Sequence, residues 1–355
     1  MDKFKKIGLT ALGTTLVASS AIAAEATVTG STGYTFSSEE VGTSTTDGIG
    51  FYNNMSLVVS GELDNGWSTK GNMLLTEDAA LSSSWASLTM GGMGTVIVGN
   101  GYGGIGQAFD DATPRAFEEN HDGMKTVTVM DSLGADMDNG QILYNSPSFD
   151  LMGASVSFSY EYAPEAADSA VGDGEVSASN NLWSSGQGAA VNLSYAGFSG
   201  GIYASERSLD TGSSNGTAEK NGDSMNATYY VNYSAGPFSI GYQTAGIDNA
   251  GVGTGTAATT AKTVAAATGI FESEQISVVF NVNDDLSVGY GDRSETYDAQ
   301  SATIADVTMD STKLEFAYTM GSMAIKGYQI ETDNPGWDSD ASSDEVTELS
   351  LTFSF

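Results

Sequence analysis

The chain has 355 residues, with 45 acidic and 12 basic side chains, and its formal net charge at pH 7 is −33. This acidity argues against nucleic acid as a partner, because phosphate binding requires clustered Lys and Arg. The chain has no cysteine and one histidine. That composition excludes disulfides, and it effectively excludes thiol catalysis and zinc sites.

The first 24 residues predict a secretory signal peptide. Three lysines within residues 3–6 precede an apolar stretch over 7–18, and small residues follow up to Ala24. This order matches the three regions of a signal peptide, and the apolar stretch is shorter than the ~20 residues of a spanning helix. We therefore expect cleavage after Ala23 or Ala24 and a single domain over residues 25–355.

From residue 25 onwards, apolar and polar residues alternate in many segments. Examples are 54–63, 155–161, 191–195, 229–234, 313–319 and 346–355. In the last of these, one face carries Leu349, Leu351, Phe353 and Phe355, while the other face is polar. A period of two predicts β-strands with one apolar face. No segment has the period of an amphipathic helix.

The connections between the predicted strands alternate between short and long. Short turns are predicted at 64–66, 91–94, 146–148, 196–197, 235–237, 283–285 and 320–322. Long polar loops are predicted at about 37–48, 78–83, 101–139, 163–186, 209–223, 247–268, 297–308 and 334–343. These seven turns and eight loops separate sixteen strands, with the turns at one end and the loops at the other.

This layout predicts an all-β fold, namely a transmembrane, antiparallel, up-and-down β-barrel of 16 strands. Aromatic residues near the predicted strand ends agree with interfacial girdles. A sheet in lipid must close on itself, so we expect the strand ending in Phe355 to pair with the first strand, Ala26 to Phe36. The predicted location is the outer membrane of a Gram-negative bacterium. A soluble secreted β-protein, which would need no detergent for extraction, is the alternative.

Three segments make the chain resemble the general bacterial porins, and most of all those of alphaproteobacteria. The segment 94–99 (GTVIVG) is a short strand that follows a glycine turn and leads into the longest loop. The segment 139–147 (NGQILYNSP) is similar to the strand that follows the constriction loop in that family. The terminal Phe355 is similar to the family's signal for the barrel-insertion machinery.

The resemblance implies a homotrimer of barrels that passes small polar solutes and ions through the outer-membrane lipid. It also implies that the third long loop folds into the lumen, where its acids face basic residues of the barrel wall. No cofactor is implied. A substrate-specific channel and a non-conducting structural or adhesin barrel remain as alternatives, and conductance separates the second from a porin.

The third loop, at about 101–139, is rich in acids that predict the negative half of a pore constriction. A ring of charges in a narrow pore selects ions by sign. The predicted acidic half comprises Asp110, Asp111, Glu118, Glu119 and Asp122.

The predicted basic half is small and comprises Lys70, Arg115 and Lys125. Lys70 shares a strand face with Ser68 and Asn72, so we expect it to point into the lumen. Family members often carry an Arg just before the segment 139–147, but here the residues are Asp-Met-Asp. The missing arginine and the net charge predict a cation-preferring pore with a weak transverse field.

Two further predictions concern catalysis and metal ions. His121 is the only histidine that an enzymatic triad could use, and its acidic surroundings predict a solvated loop residue, so we expect no enzyme. Acidic loops suit Ca²⁺, and the loops offer a candidate cluster without EF-hand spacing. That cluster comprises Asp338, Asp340, Asp344 and Glu345.

Overall fold

A computed structural model of the chain describes residues 25–76, 80–100, 102–123, 133, 137, 140–164, 183–209, 223–248, 270–298 and 305–355. The predicted signal peptide lies outside these residues. The regular structure of these residues is mainly β-structure. Its strands are β1 (Glu25–Val41), β2 (Ser44–Glu62), β3 (Ser68–Leu75), β4 (Leu81–Thr89), β5 (Thr95–Asn100), β6 (Gln141–Asn145), β7 (Phe149–Leu151), β8 (Ala154–Ala163), β9 (Trp183–Tyr195), β10 (Phe198–Leu209), β11 (Ser224–Ala235), β12 (Phe238–Asp248), β13 (Ile270–Asn281), β14 (Leu286–Asp298), β15 (Val307–Met320), β16 (Met323–Asp333) and β17 (Asp344–Ser354).

Besides the single described 3₁₀ position at Met137, the described ranges contain three 3₁₀ turns, at Gly91–Met93, Gly106–Ala108 and Pro335–Trp337. Each turn lies in a connection between two strands, and the second lies near the start of the third long loop. Within those ranges, no helix has the length and apolar character needed to cross a membrane.

The strands form one closed antiparallel sheet. Neighbours in sequence pair with each other, and β1 pairs with both β2 and β17. At this seam, the N–H of Gly30 donates to the carbonyl of Phe355 at 2.8 Å, and the N–H of Phe355 donates back at 2.9 Å. Ser31 pairs with Ser354 in the same ladder. The predicted barrel and the predicted pairing of its first and last strands are confirmed.

β6 and β7 are two halves of one barrel strand, so the barrel has sixteen strands, as predicted. Both halves pair with β8, and Pro147 separates them because it has no N–H for the ladder. The turn predicted at 146–148 is therefore wrong. The chain reverses at Met152 and Gly153, whose φ angles of 56° and 88° are left-handed.

The predicted long loop at 37–48 is also wrong, because most of it belongs to two long strands. β1 and β2 continue their pairing up to Val41 and Ser44, and the turn between them is made by residues 42 and 43. Residues 37–41 pair with residues 44–48 although most of them are polar, so this stretch lengthens the β1–β2 hairpin. The predicted loop at 334–343 is confirmed, since it joins β16 to β17.

The two faces of the sheet differ in chemistry. In β13, Ser273, Gln275 and Ser277 point inward and are 2–3% exposed, whereas Ile276 and Val278 point outward and are 42% and 37% exposed. The same alternation recurs around the barrel, so the apolar side chains form the outer surface. Lipid solvates such a surface, and water does not. The interior is polar and holds the functional site.

Candidate pore constriction

The third long loop begins after β5, and its segment 102–123 lies against the inner face of the barrel. The amide of Asn232 on β11 donates to the carbonyl of Ala112 at 2.6 Å, and the N–H of Ala112 donates to Gln243 on β12 at 2.8 Å. The amide of Gln275 on β13 donates to Asp111 at 2.8 Å. Inward-facing amide side chains of three adjacent strands therefore bind this segment.

Two charged residues of β15 hold the next part of the loop. Glu315 accepts hydrogen bonds from the backbone N–H groups of residues 116, 117 and 118, the last two at 3.1 and 3.0 Å. The ammonium group of Lys313 donates to the carbonyls of Glu119 at 2.6 Å and Asp122 at 3.1 Å. One strand thus binds the N–H groups with an acid and the carbonyl groups with a base.

Glycines in the wall make room for the loop. A Cβ at Gly291 would collide with Asn120, and a Cβ at Gly241 would collide with Pro114. Gly201 has the same relation to the ring of Phe109. A side chain at any of these inward positions would push the loop away from the wall.

Aromatic and apolar contacts anchor the beginning of the segment. The ring of Phe109 stacks on Tyr203, with centroids 5.7 Å apart, and meets Tyr230 edge-on at 5.5 Å. Buried Glu161 on β8 accepts a hydrogen bond from the N–H of Ile105 at 2.6 Å and from the hydroxyl of Tyr203 at 2.8 Å. This end of the loop packs into a small core inside the barrel.

The five predicted acids do not share one environment. Asp111 is 5% exposed and accepts hydrogen bonds from the N–H groups of Thr113 at 2.9 Å and Asn120 at 2.6 Å. It therefore holds the shape of the loop and does not face the pore. The Asp122 side chain is 44% exposed and the Glu119 side chain 23%.

Burial changes the protonation of two of these acids. Burial, followed by repulsion from Glu119, raises the pKa of Asp110 to about 7. Burial, followed by repulsion from Asp122, raises the pKa of Glu118 to about 7. Both carboxyl groups therefore change their charge close to neutral pH.

The predicted bases have three different outcomes. Lys70 points inward, with its ammonium nitrogen 5.5 Å from the centre of the Trp85 ring. Arg115 forms an ion pair with Glu119 at 2.7 Å, and its side chain is 40% exposed. Lys125 lies outside the described residues.

Three cations of the barrel wall, none of them predicted as part of the constriction, lie beneath or beside the loop. Lys313 and Arg293 are each 2% exposed, and the ammonium group of Lys326 lies 4.9 Å from the ring of Phe117. These cations lie on β14, β15 and β16, and the alternation of side chains along each strand predicts that all three point inward. Nothing in the sequence shows that the loop lies over them.

The wall on β1 to β5 carries almost no positive charge. Lys70 is the only Lys or Arg between residues 25 and 100. Polar neutral side chains lie on this wall. Ser56 donates a hydrogen bond to Asn72 at 2.7 Å, and the hydroxyl of Tyr52 is hydrogen-bonded to that of Thr352 on the neighbouring β17. A cluster of wall arginines is therefore missing here.

The prediction of a solvated histidine is wrong. His121 is 4% exposed, and its Nε2 atom lies 3.3 Å from Glu119 Oε2 and 3.9 Å from Asp122 Oδ1. The fold of the loop buries the imidazole, which the composition of the segment does not reveal.

The candidate Ca²⁺ cluster does not converge. Asp344 is buried at 5% exposure, whereas the adjacent Glu345 faces outward and accepts a hydrogen bond from Gln329 at 2.5 Å. Successive strand residues point to opposite faces, so these two carboxylates cannot bind one ion. In the described parts of the chain, Asp110, Glu119 and His121 form the one group of three with converging metal-ligating atoms.

Comparison with known proteins agrees with this architecture. A family model described as Gram-negative porin matches residues 8–297. The fold is similar to OmpF of Salmonella typhi in complex with daunomycin (TM-score 0.66, 13% identity, 94% of this chain and 98% of that one). It is also similar to the anion-selective porin from Comamonas acidovorans (TM-score 0.61, 11% identity, 94% and 100%) and to the trimer form of OmpT of Vibrio cholerae (TM-score 0.58, 12% identity, 93% and 99%).

No curated protein sequence matches the chain. The family match covers most of the chain, and it agrees with a closed barrel of sixteen strands that is apolar outside and polar inside. The chain therefore belongs to the Gram-negative porins, the β-barrel channels of the outer membrane.

Proposed function

We propose that this porin passively admits small hydrophilic solutes and ions and prefers cations. The family membership supports the diffusion channel, and the placement of the charges supports the preference. Exposed acids such as Asp122 lie on the loop, while the wall cations Lys313 and Arg293 are buried. Arg115, an exposed base of the loop, is paired with Glu119 at 2.7 Å, so a permeating ion meets Asp122 as a negative charge beyond that pair.

The wall on β1 to β5 supports the same proposal. With Lys70 as its only cation, this wall cannot form the positive side of a strong transverse field. The porin from Comamonas acidovorans is described as anion-selective and has a similar fold. The barrel itself therefore leaves the sign of selectivity open, and the charges that line the pore determine it.

Two finer features belong to the same proposal. The similarity to OmpT in its trimer form and the apolar outer surface favour a homotrimer. The apolar outer face of β17 and the position of Phe355 at the seam favour recognition of this strand by the barrel-insertion machinery.

Planar-bilayer recording in a KCl gradient tests the function directly. Detergent-extracted protein is expected to give large open steps, grouped in threes, and a reversal potential on the cation side. An anion-side reversal potential would refute the preference. Folded protein without conductance would indicate a plugged structural barrel instead.

Charge removal at the loop tests the proposed cause of the preference. Asp122→Asn is expected to move the reversal potential toward zero, because the Asp122 side chain is 44% exposed. The matched control is Glu274→Gln on the outer face, which should leave the reversal potential unchanged. An equal shift in both variants would show that the net charge of the protein sets the selectivity.

A further inference from the structure

The single histidine of the chain lies at a meeting point of acids in the loop. His121 is 4% exposed, and its Nε2 atom is 3.3 Å from Glu119 Oε2. Asp110 completes the group, since one ligand atom from each of the three residues lies within 4.8 Å of the others. The group offers one nitrogen and two oxygen donors.

The spacing of one donor pair fits a small transition-metal ion. Zn²⁺ binds His nitrogen and carboxylate oxygen at about 2.0–2.2 Å with tetrahedral geometry, so two of its ligands lie about 3.3–3.6 Å apart. Glu119 Oε2 and His121 Nε2 already have that separation. Ca²⁺ prefers six to eight oxygen ligands, so a buried imidazole disfavours it.

The surrounding contacts hold the donors in place. Asp111 binds the N–H of Asn120 at 2.6 Å, between two of the donors. Lys313 binds the carbonyl of Glu119 at 2.6 Å, and Arg115 pairs with Glu119 Oε1 at 2.7 Å. The loop backbone that carries Glu119 and His121 is therefore bound on two sides, and Oε2 of Glu119 is turned toward the imidazole.

A cation can reach the group from the pore. The Glu119 side chain is 23% exposed, whereas the side chain of His121 is 2% exposed. The carboxylate thus lies at the surface, with the imidazole behind it. The composition predicts no zinc site when only Cys and His are considered as ligands, but the fold brings two carboxylates to the histidine.

We propose that Asp110, Glu119 and His121 bind a divalent transition-metal ion of the Zn²⁺ class, with water as the remaining ligand. Binding needs only the folded loop. Its consequence rests on the proposed function, since a metal ion on these acids would lower the cation preference of the pore.

Calorimetric titration with ZnCl₂ tests the site on folded, detergent-extracted protein after removal of metals with EDTA. We expect one saturable site per chain, and at least a tenfold loss of affinity in Glu119→Gln and in His121→Gln. Glu348→Gln, which removes a partly buried acid of the barrel wall, is the matched control and should bind Zn²⁺ as the unaltered chain does. Absence of saturable binding would overturn the proposal, and so would an equal loss in the control or competition by Ca²⁺ at equal concentration.

A second measurement covers the case in which a substitution unfolds the loop. Co²⁺ added to the unaltered protein should give the visible absorption of a four-coordinate site with nitrogen and oxygen ligands, and Zn²⁺ should abolish it. The weak spectrum of hydrated Co²⁺ would count against the site. Because neither measurement uses conductance, failure of the metal site stays distinguishable from failure of the channel function.

Discussion

Glu315 illustrates how one side chain of the barrel wall holds the third long loop. It accepts hydrogen bonds from three successive backbone N–H groups of the loop. A buried donor that loses its partner costs about 1–3 kcal/mol. The loop therefore depends on this carboxylate more than on any single apolar contact described above.

Replacing this carboxylate should loosen the loop without opening the barrel. In Glu315→Ala we expect a lower melting temperature, faster protease cleavage within residues 102–123 and noisier single-channel currents. Circular dichroism, limited proteolysis and bilayer recording measure these effects. Glu274→Ala, on the outer face, is the control, and equal cleavage of both variants would contradict the assigned role.

The raised pKa values of Asp110 and Glu118, each about 7, predict a pH-dependent selectivity. A carboxyl group with a raised pKa is charged above that pKa and neutral below it, so cation preference should fall as the pH drops from 8.5 to 5.5. Reversal potentials in EDTA-containing buffer measure this. The double variant Asp110→Asn, Glu118→Gln should have a flatter profile, and an unchanged slope in it would count against these two groups.

Single residues show where sequence reasoning succeeds and where it ends. Lys70 is correctly placed in the lumen, because the period of a strand fixes which face a side chain occupies. The burial of His121 and the contacts of Lys313 depend on a loop returning to a distant strand. No local pattern encodes that path.

At the scale of elements, the wall glycines form the surface on which the loop lies. Gly201, Gly241 and Gly291 belong to three different strands, yet each faces a loop residue that would collide with a Cβ. A strand glycine usually weakens a sheet. Here the absence of a side chain is what allows the close approach.

Gly291→Val tests this packing. The added side chain would collide with Asn120, so the loop should shift, with a stability loss of ~1–3 kcal/mol and an altered single-channel conductance. Gly246→Ala is the control, since its nearest neighbour would be 3.8 Å away. Conductance and melting temperature equal to those of the unaltered protein would show that the loop does not depend on Gly291.

The elements were largely predictable, with two instructive errors. Ser-Pro-Ser at 146–148 has turn composition, but Pro147 only interrupts one barrel strand, because a proline at that point removes a ladder bond without reversing the chain. The polar stretch 37–48 looked like a loop, but strands continue there. The presence of turn-forming or polar residues therefore does not distinguish a strand that continues from a strand that ends.

At the scale of the whole molecule, charge orientation separates the two surfaces of the barrel. According to the register of the sheet, every Lys and Arg in the described strands points inward. These residues are Lys70, Arg207, Arg293, Lys313 and Lys326. A lysine on the lipid face of a barrel costs ~2–4 kcal/mol near the midplane. The alternation of apolar and polar residues over sixteen strands was therefore sufficient to predict the barrel. The path of the loop inside the barrel could not be predicted, because it produces no periodic pattern in the sequence.

A matched pair of lysine substitutions tests the two surfaces. Val191 is 50% exposed on the outer face of β9, so Val191→Lys should destabilise the folded barrel in detergent or lipid. Ser194→Lys, three residues on and facing inward, should be tolerated and should shift the reversal potential toward anions. Equal destabilisation by both would contradict the assignment of the faces.

The seam between β1 and β17 has a kinetic consequence. It brings together groups such as Tyr52 and Thr352, which are 300 residues apart along the chain. Closing so large a loop is entropically unfavourable, and folds rich in distant pairings form slowly. Until β1 and β17 pair, each of these strands exposes unpaired N–H and C=O groups, which can pair with another chain and cause aggregation. The refolding rate should therefore be limited by one late event, and a binder that masks the edge of either strand should arrest the protein as an open, unsealed sheet.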